Sequence, residues 1–382
     1  MALLLAGEGF IILLLLFAGI AFPTLLIGGI IYVLLRAEKS KKVWAQYASM
    51  RGLHQPEPGK LRIEGVFDGI PTSLFIEIER RSDGERTRVD TFTACYAKFP
   101  KNMRFGLDIA GRGGLQLFDV GRRMPVGHPM DAQFRALAYD HEVLRHFLVT
   151  EFGEGAPASL ADDLVAAKRE YPTITITDKG IKTRVSGTIS TDEKLDRIAT
   201  VTAKLARRFM TARSLFPKTR LENDLEREWA GFASQRGLGF DPENLTIEGL
   251  WRGYPIRIEA YTELSSWITK FSIRYPRPLM MGISLTPEYT GHIVAKLLGY
   301  QDLKTGNPEF DKNFIVQAKN VQAALHKLDQ ATCVALLEAK RHSKSLKLDD
   351  EGLEIEFERV VVSSVELGSF LDALLKPMNR LM

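Results

Sequence analysis

Cysteine is scarce, with two residues, Cys95 and Cys333, in a chain of 382. They lie far apart in unlike local contexts. That excludes a disulfide-built scaffold and fits a reducing compartment. A dominant charge of one sign is also lacking, since 51 Lys and Arg stand against 47 Asp and Glu for a net charge of +4. Much of that excess sits in Arg36, Lys39, Lys41 and Lys42. No strongly basic domain remains, so nucleic-acid binding is not expected as the main task. Compositional bias is absent too: 45% hydrophobic and 26% charged residues, with 31 Gly and 17 Pro, describe an ordinary globular chain rather than a disordered or collagenous one. The length admits two or three domains.

One long uncharged run is present. Phe10 to Leu35 gives 26 consecutive residues without a charge. As a helix it would extend about 39 Å at roughly 1.5 Å per residue, more than a hydrocarbon core of roughly 30 Å. Pro23 predicts a kink, which membrane helices tolerate. No Lys or Arg precedes the run, so the pattern of a cleaved secretory signal is missing. The cations that follow it predict an N-terminus outside and the remainder in the cytoplasm. The sequence therefore predicts a single-pass membrane protein, with residues 1–36 as the anchor and its basic flank. Arg36, Lys39, Lys41 and Lys42 are candidate contacts for anionic lipid headgroups. A topology signal alone accounts for the same four residues.

Compared with itself, the rest of the chain repeats. Trp44-Ala-Gln-Tyr-Ala-Ser-Met-Arg-Gly-Leu53 returns as Trp229-Ala-Gly-Phe-Ala-Ser-Gln-Arg-Gly-Leu238. Leu61-Arg-Ile-Glu-Gly65, with Gly69 and Pro71, returns as Leu245-Thr-Ile-Glu-Gly249, with Gly253 and Pro255. Gly127-His-Pro129 with Asp131 and Phe134 is echoed by Gly306-Asn-Pro308 with Asp311 and Phe314, and Thr177-Asp-Lys-Gly180 by Asp349-Asp-Glu-Gly352. The matches keep their order. We expect two tandem homologous α+β domains, at 37–217 and 218–382, each an antiparallel sheet packed with helices.

Each copy opens with helical spacing, Val43, Trp44, Tyr47 and Ala48 in one and Leu225, Trp229, Phe232 and Ala233 in the other. Gly52 and Gly237 stand where such helices end. Strands are expected at 61–67 and 72–78 around Asp68-Gly69, at 245–251 and 256–261 around Arg252-Gly253, and at 88–96 and 267–275. Helices follow at 140–150 and 320–328, each with a further helix after it. A second hairpin, 173–186 or 345–357, and a long amphipathic helix, 192–212 or 365–381, close each copy. The segment from Pro217 to Glu222 reads as a short polar linker, so the copies are expected to pack together.

Candidate chemistry is thin. His141 and His146 are five apart, about 140° around a helix, whereas a zincin places its pair at i and i+4. The other histidines show no ligand spacing, and no metal site or cofactor is expected. No Gly-x-Ser-x-Gly elbow occurs, and Cys95 and Cys333 read as buried small hydrophobes. Gly111-Arg-Gly-Gly114 lacks the remainder of a phosphate loop. The basic stretch of 98–123, with Lys98, Lys101, Arg104, Arg112, Arg122 and Arg123, reads as a solvated face, with a patch facing anionic lipid as the alternative. The polar residues shared by both copies are Arg51 and Arg236, Glu64 and Glu248, and Asp131 and Asp311. They fit structural places: the aspartates a helix N-cap or turn, the arginines a last helical turn. No catalytic residue is expected among them.

Gly306-Asn-Pro-Glu-Phe-Asp-Lys-Asn-Phe314 resembles a Gly-Asp/Asn-x-x-Phe-Asp-x-x-Phe signature of uncharacterised membrane-anchored bacterial proteins. The resemblance covers mainly 300–360, and the first copy lacks one residue of it. It implies topology and fold, and no activity. The expected function is that of a membrane-anchored interaction or scaffold protein without catalysis, its partners the bilayer and another protein. The alternative is a membrane-tethered enzyme or small-ligand sensor with its site between the two copies.

Overall fold

A computed structural model describes Leu35 and residues 38–57, 60–82, 87–111, 125–152, 158–263, 266–287 and 303–382. The protein is α+β, with two antiparallel sheets and helices. In chain order the elements are α1 (38–51), β1 (Arg62–Phe67), β2 (Ile70–Ser82), β3 (Thr87–Lys98), β4 (Asp108–Gly111), a 3-10 turn (Pro129–Ala132), β5 (Phe134–Leu137), α2 (His141–Val149), α3 (Leu160–Glu170), β6 (Thr173–Thr177), β7 (Gly180–Ser186) and α4 (Asp192–Leu215). Then come α5 (Arg220–Arg236), β8 (Gly239–Asp241), β9 (Thr246–Trp251), β10 (Tyr254–Glu263), β11 (Ser266–Arg274) and β12 (Ser284–Pro287). The chain ends with α6 (Pro308–Asn313), β13 (Phe314–Gln317), α7 (Val321–Lys327), α8 (Gln330–Arg341), β14 (Ser345–Asp349), β15 (Gly352–Phe357) and α9 (Ser364–Leu381).

The expected N-terminal transmembrane helix is corrected by this structure. Among the described residues no helix is long and apolar enough to cross a membrane. The two longest named helices are amphipathic. In α4, 24 residues long, Asp192, Glu193 and Lys194 fill the first turn, and the 18-residue α9 carries Glu366, Asp372, Lys376 and Arg380. Phe10 to Leu35, on which the single-pass membrane expectation rested, lies outside the described residues except for Leu35.

The strand order of the first sheet is β1-β2-β3-β7-β6-β4-β5. Read from its β8 end, the second sheet runs β8-β9-β10-β11-β15-β14-β12-β13. Apart from β8 the two orders coincide, pairing β1 with β9, β2 with β10, β3 with β11 and so on through the chain. The turns coincide too. Asp68 and Gly69 have φ of 54° and 80°, and Arg252 and Gly253 have 49° and 87°. Two positive φ values in a two-residue connection match the twist of the flanking strands.

Grouped by contacts, the residues form two compact units. One is drawn from Met1–Lys98, Ala166–Ile174 and Gly180–Arg208, the other from Phe99–Val165, Thr175–Lys179 and Phe209–Met382. In the first unit β1, β2, β3 and β7 are paired in that order. Their core includes Trp44, Tyr47, Ile63, Leu74, Cys95, Ile181, Leu195 and Ile198, all buried. In the second unit β5, β4 and the end of β6 are paired, and the eight-stranded sheet holds a core of Trp229, Phe232, Phe271, Ile355, Phe357 and Leu371.

The core is framed by the same bonds in both units. The Trp44 indole N–H donates to the Ile189 carbonyl at 2.9 Å, while the Thr93 hydroxyl donates to the Gly187 carbonyl and accepts the Ile189 N–H, each at 2.9 Å. In the other unit the Trp229 indole donates to the Val361 carbonyl at 2.9 Å, and Thr269 bonds the Arg359 carbonyl at 3.0 Å and the Val361 N–H at 2.9 Å. Both tryptophans are fully buried, so these bonds satisfy groups that water cannot reach.

Candidate functional site: the seam within the second unit

The second unit contains residues from both halves of the chain, and its charged residues converge where they meet. The local backbone sets this up. Asp178 follows β6, and its carboxylate accepts the Phe105 N–H at 3.0 Å and the Leu107 N–H at 3.1 Å. That holds 102–107 in a tight arch with Arg104 at φ 64° and Gly106 at φ 68°. The second half builds the same arch. Asp350 accepts the N–H groups of Met281, Gly282 and Ile283 at 2.7–3.2 Å, with Met280 at φ 57° and Gly282 at φ 63°. The Met103 and Leu279 N–H groups complete the two arches, bonding the Asp178 and Asp350 carbonyls at 3.0 Å each.

A left-handed backbone at a non-glycine residue needs support from its surroundings, and the arch aims Arg104 at the second half. Its guanidinium donates to the Pro242 carbonyl at 3.2 Å and to the Glu243 carbonyl. It also lies 3.8 Å from Glu222 and 3.9 Å from Glu226. Glu222 is fully buried at the start of α5. One of its oxygens accepts the Thr219 N–H at 2.8 Å and the other accepts Arg213. The Glu222 N–H in turn donates to the Thr219 hydroxyl at 3.2 Å, closing a capping box. Arg213 donates to the Met103 carbonyl at 3.0 Å and lies 4.9 Å from the Phe105 ring centre. Burial pulls the Arg104 guanidinium below its ordinary pKa, an effect opposed by Glu222 and Glu226.

Around this cluster Lys101 pairs with Glu243 at 2.8 Å, and Lys179 lies 5.7 Å from the Tyr261 ring centre. The Thr262 hydroxyl bonds Asp178 and reaches the Asn102 side chain at 3.2 Å. Burial pushes the Asp178 carboxyl above its ordinary range, while its hydrogen bonds act the other way. Within the expected short polar linker Pro217, Lys218 and Arg220 are exposed and Thr219 caps α5, while Glu222 at its end is buried; Arg104 leaves the solvated face assigned to it. The seam is packed with charged groups that pair with one another and with backbone.

The other candidates take ordinary places. Lys39, Lys41 and Lys42 lie on α1, with Lys41 3.2 Å from Glu38, while Arg36 falls outside the described residues. Asp131 accepts the N–H groups of Val126, Gly127 and His128 at 2.8–3.3 Å, and Asp311 accepts the Thr305 N–H at 2.9 Å. The N-caps are His128 and Asn307, not these aspartates. Arg51 pairs with Asp196, whereas Arg236 stacks 4.2 Å from the Phe232 ring centre. Glu64 and Glu248 pair with Arg62 and Arg257 within their own sheets. His141 bonds the Pro125 carbonyl at 3.0 Å and His146 the Thr150 hydroxyl at 3.1 Å. Cys95 and Cys333 are buried free thiols, and burial pushes Cys95 up to about 12. Residues 112–114 and the rest of the basic stretch to 123 lie outside the described residues. Among the described residues no three His, Cys, Asp or Glu side chains gather as a metal site.

No family model matches the chain, and no curated protein matches it. Among solved structures it is similar to the mycobacterial trehalose monomycolate transport factor A, TtfA. Identity is 12% and the TM-score 0.29, over 41% of this chain and 93% of that one.

Proposed function

We propose that the chain is a non-enzymatic protein-interaction or scaffold module made of two tandem copies of one α+β unit, 37–217 and 218–382. The observation that carries this reading is where the recurring polar residues are used. Trp44 and Trp229, Thr93 and Thr269, Asp178 and Asp350, and Asp131 and Asp311 all bond backbone groups of their own framework. A repeated catalytic set would instead leave side chains aimed at a common open space. The seam between the halves, the place the sensor reading needs for its ligand, is filled by Arg104, Arg213 and Glu222, all buried or nearly so. The work of such a body falls to its outer faces.

Cross-linking mass spectrometry on the full chain in its native cells tests this. Reproducible cross-links from its surface lysines to one protein species are expected. A chain that cross-links to no protein, or that turns over a small molecule in a metabolite-pool assay, overturns the reading.

A further inference from the structure

Inside the chain, the first half grips the second with its 101–106 arch and the β6–β7 turn. If the halves are copies of one module, as proposed above, the second half carries its own version of the gripping surface and the first half its own version of the gripped one. The arch and the strand position it meets can be located, while the first-half counterparts of Glu222 and Glu243, near 37 and 58, lie outside the described residues. Met280 holds the place of Arg104: each has positive φ, lies two residues before a left-handed glycine, and follows a residue bonded to the Asp350 or Asp178 carbonyl. Ile78 holds the place of Thr262. Thr93 pairs with Ile76 and Thr269 with Ala260, so the next residues on the same strand face are Ile78 and Thr262.

In the seam these places are neighbours. Asn102 accepts both the Arg104 N–H at 2.8 Å and the Thr262 hydroxyl at 3.2 Å. Thr262 is 2% exposed there. Its counterpart Ile78 is 61% exposed and Met280 is 82% exposed, with Val89 beside Ile78 on the same hairpin at 55%. The chemistry has changed on both surfaces together. Arg104 becomes Met280, Asn102 becomes Pro278, and Thr262 becomes Ile78. Polar positions inside the seam correspond to exposed apolar ones at Met280 and Ile78.

We infer that these two ends bind each other between chains: the Met280 arch of one copy seats on the Ile78 and Val89 face of the β2–β3 hairpin of a second copy, in the geometry the chain uses internally. The occupant is a second copy because the internal seam already pairs the counterparts of these two surfaces. The contact is heterologous, so it leaves one free surface at each end and extends head to tail unless its rotation closes a ring. Isolated Met and Ile at an exposed site would be unremarkable; their place at equivalents of one internal interface is what gives them a partner.

Sedimentation velocity of the full chain over a concentration series tests this, with Met280→Asp and Ile78→Asp as variants. Both positions are exposed, so the variants should melt like the unaltered chain. Self-association should be seen in the unaltered chain and weaken about tenfold or more in each variant. An equimolar mixture of the two variants should then form dimers that do not grow, because each supplies the one surface the other has lost. A chain that stays monomeric throughout, variants that associate as before, or a mixture that stays monomeric would each overturn the head-to-tail contact. A monomeric chain that still cross-links to a different protein sinks this contact and leaves the interaction reading standing.

Discussion

Trp44 and Trp229 do the same work in their two units, each buried completely and each donating its indole N–H at 2.9 Å to a carbonyl in the segment that leaves β7 or β15. The acceptors, Ile189 and Val361, both also give their N–H to a threonine, Thr93 of β3 or Thr269 of β11. The equivalence extends beyond side-chain type to the atoms bonded.

Replacing either tryptophan with phenylalanine keeps most of the ring and removes the donor. A buried carbonyl left without a partner costs about 1–3 kcal/mol. Trp44→Phe and Trp229→Phe should each lower the urea midpoint by that order, measured by circular dichroism. An unchanged midpoint in either would show that its bond is dispensable.

Glu222→Gln should be among the most destabilising charge removals in the chain. It keeps a capping oxygen but leaves Arg104 and Arg213 facing each other without their shared carboxylate. Loss of one partner of a buried pair costs about 3–5 kcal/mol. Glu366→Gln makes a control, since its pair with Arg359 is partly exposed and surface pairs contribute about 0–1 kcal/mol. Denaturant titration should rank the two variants in that order.

Gly180 and Gly352 occupy corresponding starts of β7 and β15. A Cβ at Gly180 would collide with the Ala97 carbonyl, and one at Gly352 with the Ile273 carbonyl. Backbone cannot yield as a flexible side chain can, so Gly180→Ala and Gly352→Ala should each cost about 1–3 kcal/mol. Thermal melting checks this, with Gly231→Ala, inside α5 and meeting nothing within 4 Å, as a comparison expected to stabilise by about 0.5–1 kcal/mol.

Lys344, 2.8 Å from Glu263, holds that carboxyl below the usual carboxylate range through a side-chain hydrogen bond. A depressed folded pKa means a contribution to stability that is present above the unfolded value and lost as pH falls through the folded one. Lys344→Met should raise the Glu263 pKa and shift that loss to higher pH. Carboxylate NMR titration would show an unmoved Glu263 if the pair were unimportant.

Much of the fold could be read locally. Alternation marks Thr173-Ile-Thr-Ile-Thr177, whose burial alternates in step, and the two hairpins around Gly69 and Gly253 follow from turn chemistry. The four-residue strands β4, β5, β12 and β13 are too short to show a period and exist through their pairing. The seam was the least legible part. Arg104 sits in a basic stretch and Glu222 beyond a proline, and only the fold brings the two within 3.8 Å. Asp178 resembles any hairpin aspartate until 102–107 is seen wrapped around its carboxylate. Asp131 has the look of a helix N-cap, but it stands three residues inside the turn that His128 caps.

Hydrogen exchange at the indole N–H groups, followed by NMR with nitrogen-labelled tryptophan, puts the repeated framework to its most direct test. Trp44 and Trp229 should both exchange slowly, at rates set by opening of the folded chain. If either indole exchanges as fast as an exposed one, the two halves do not share a framework and the account built on their equivalence is wrong.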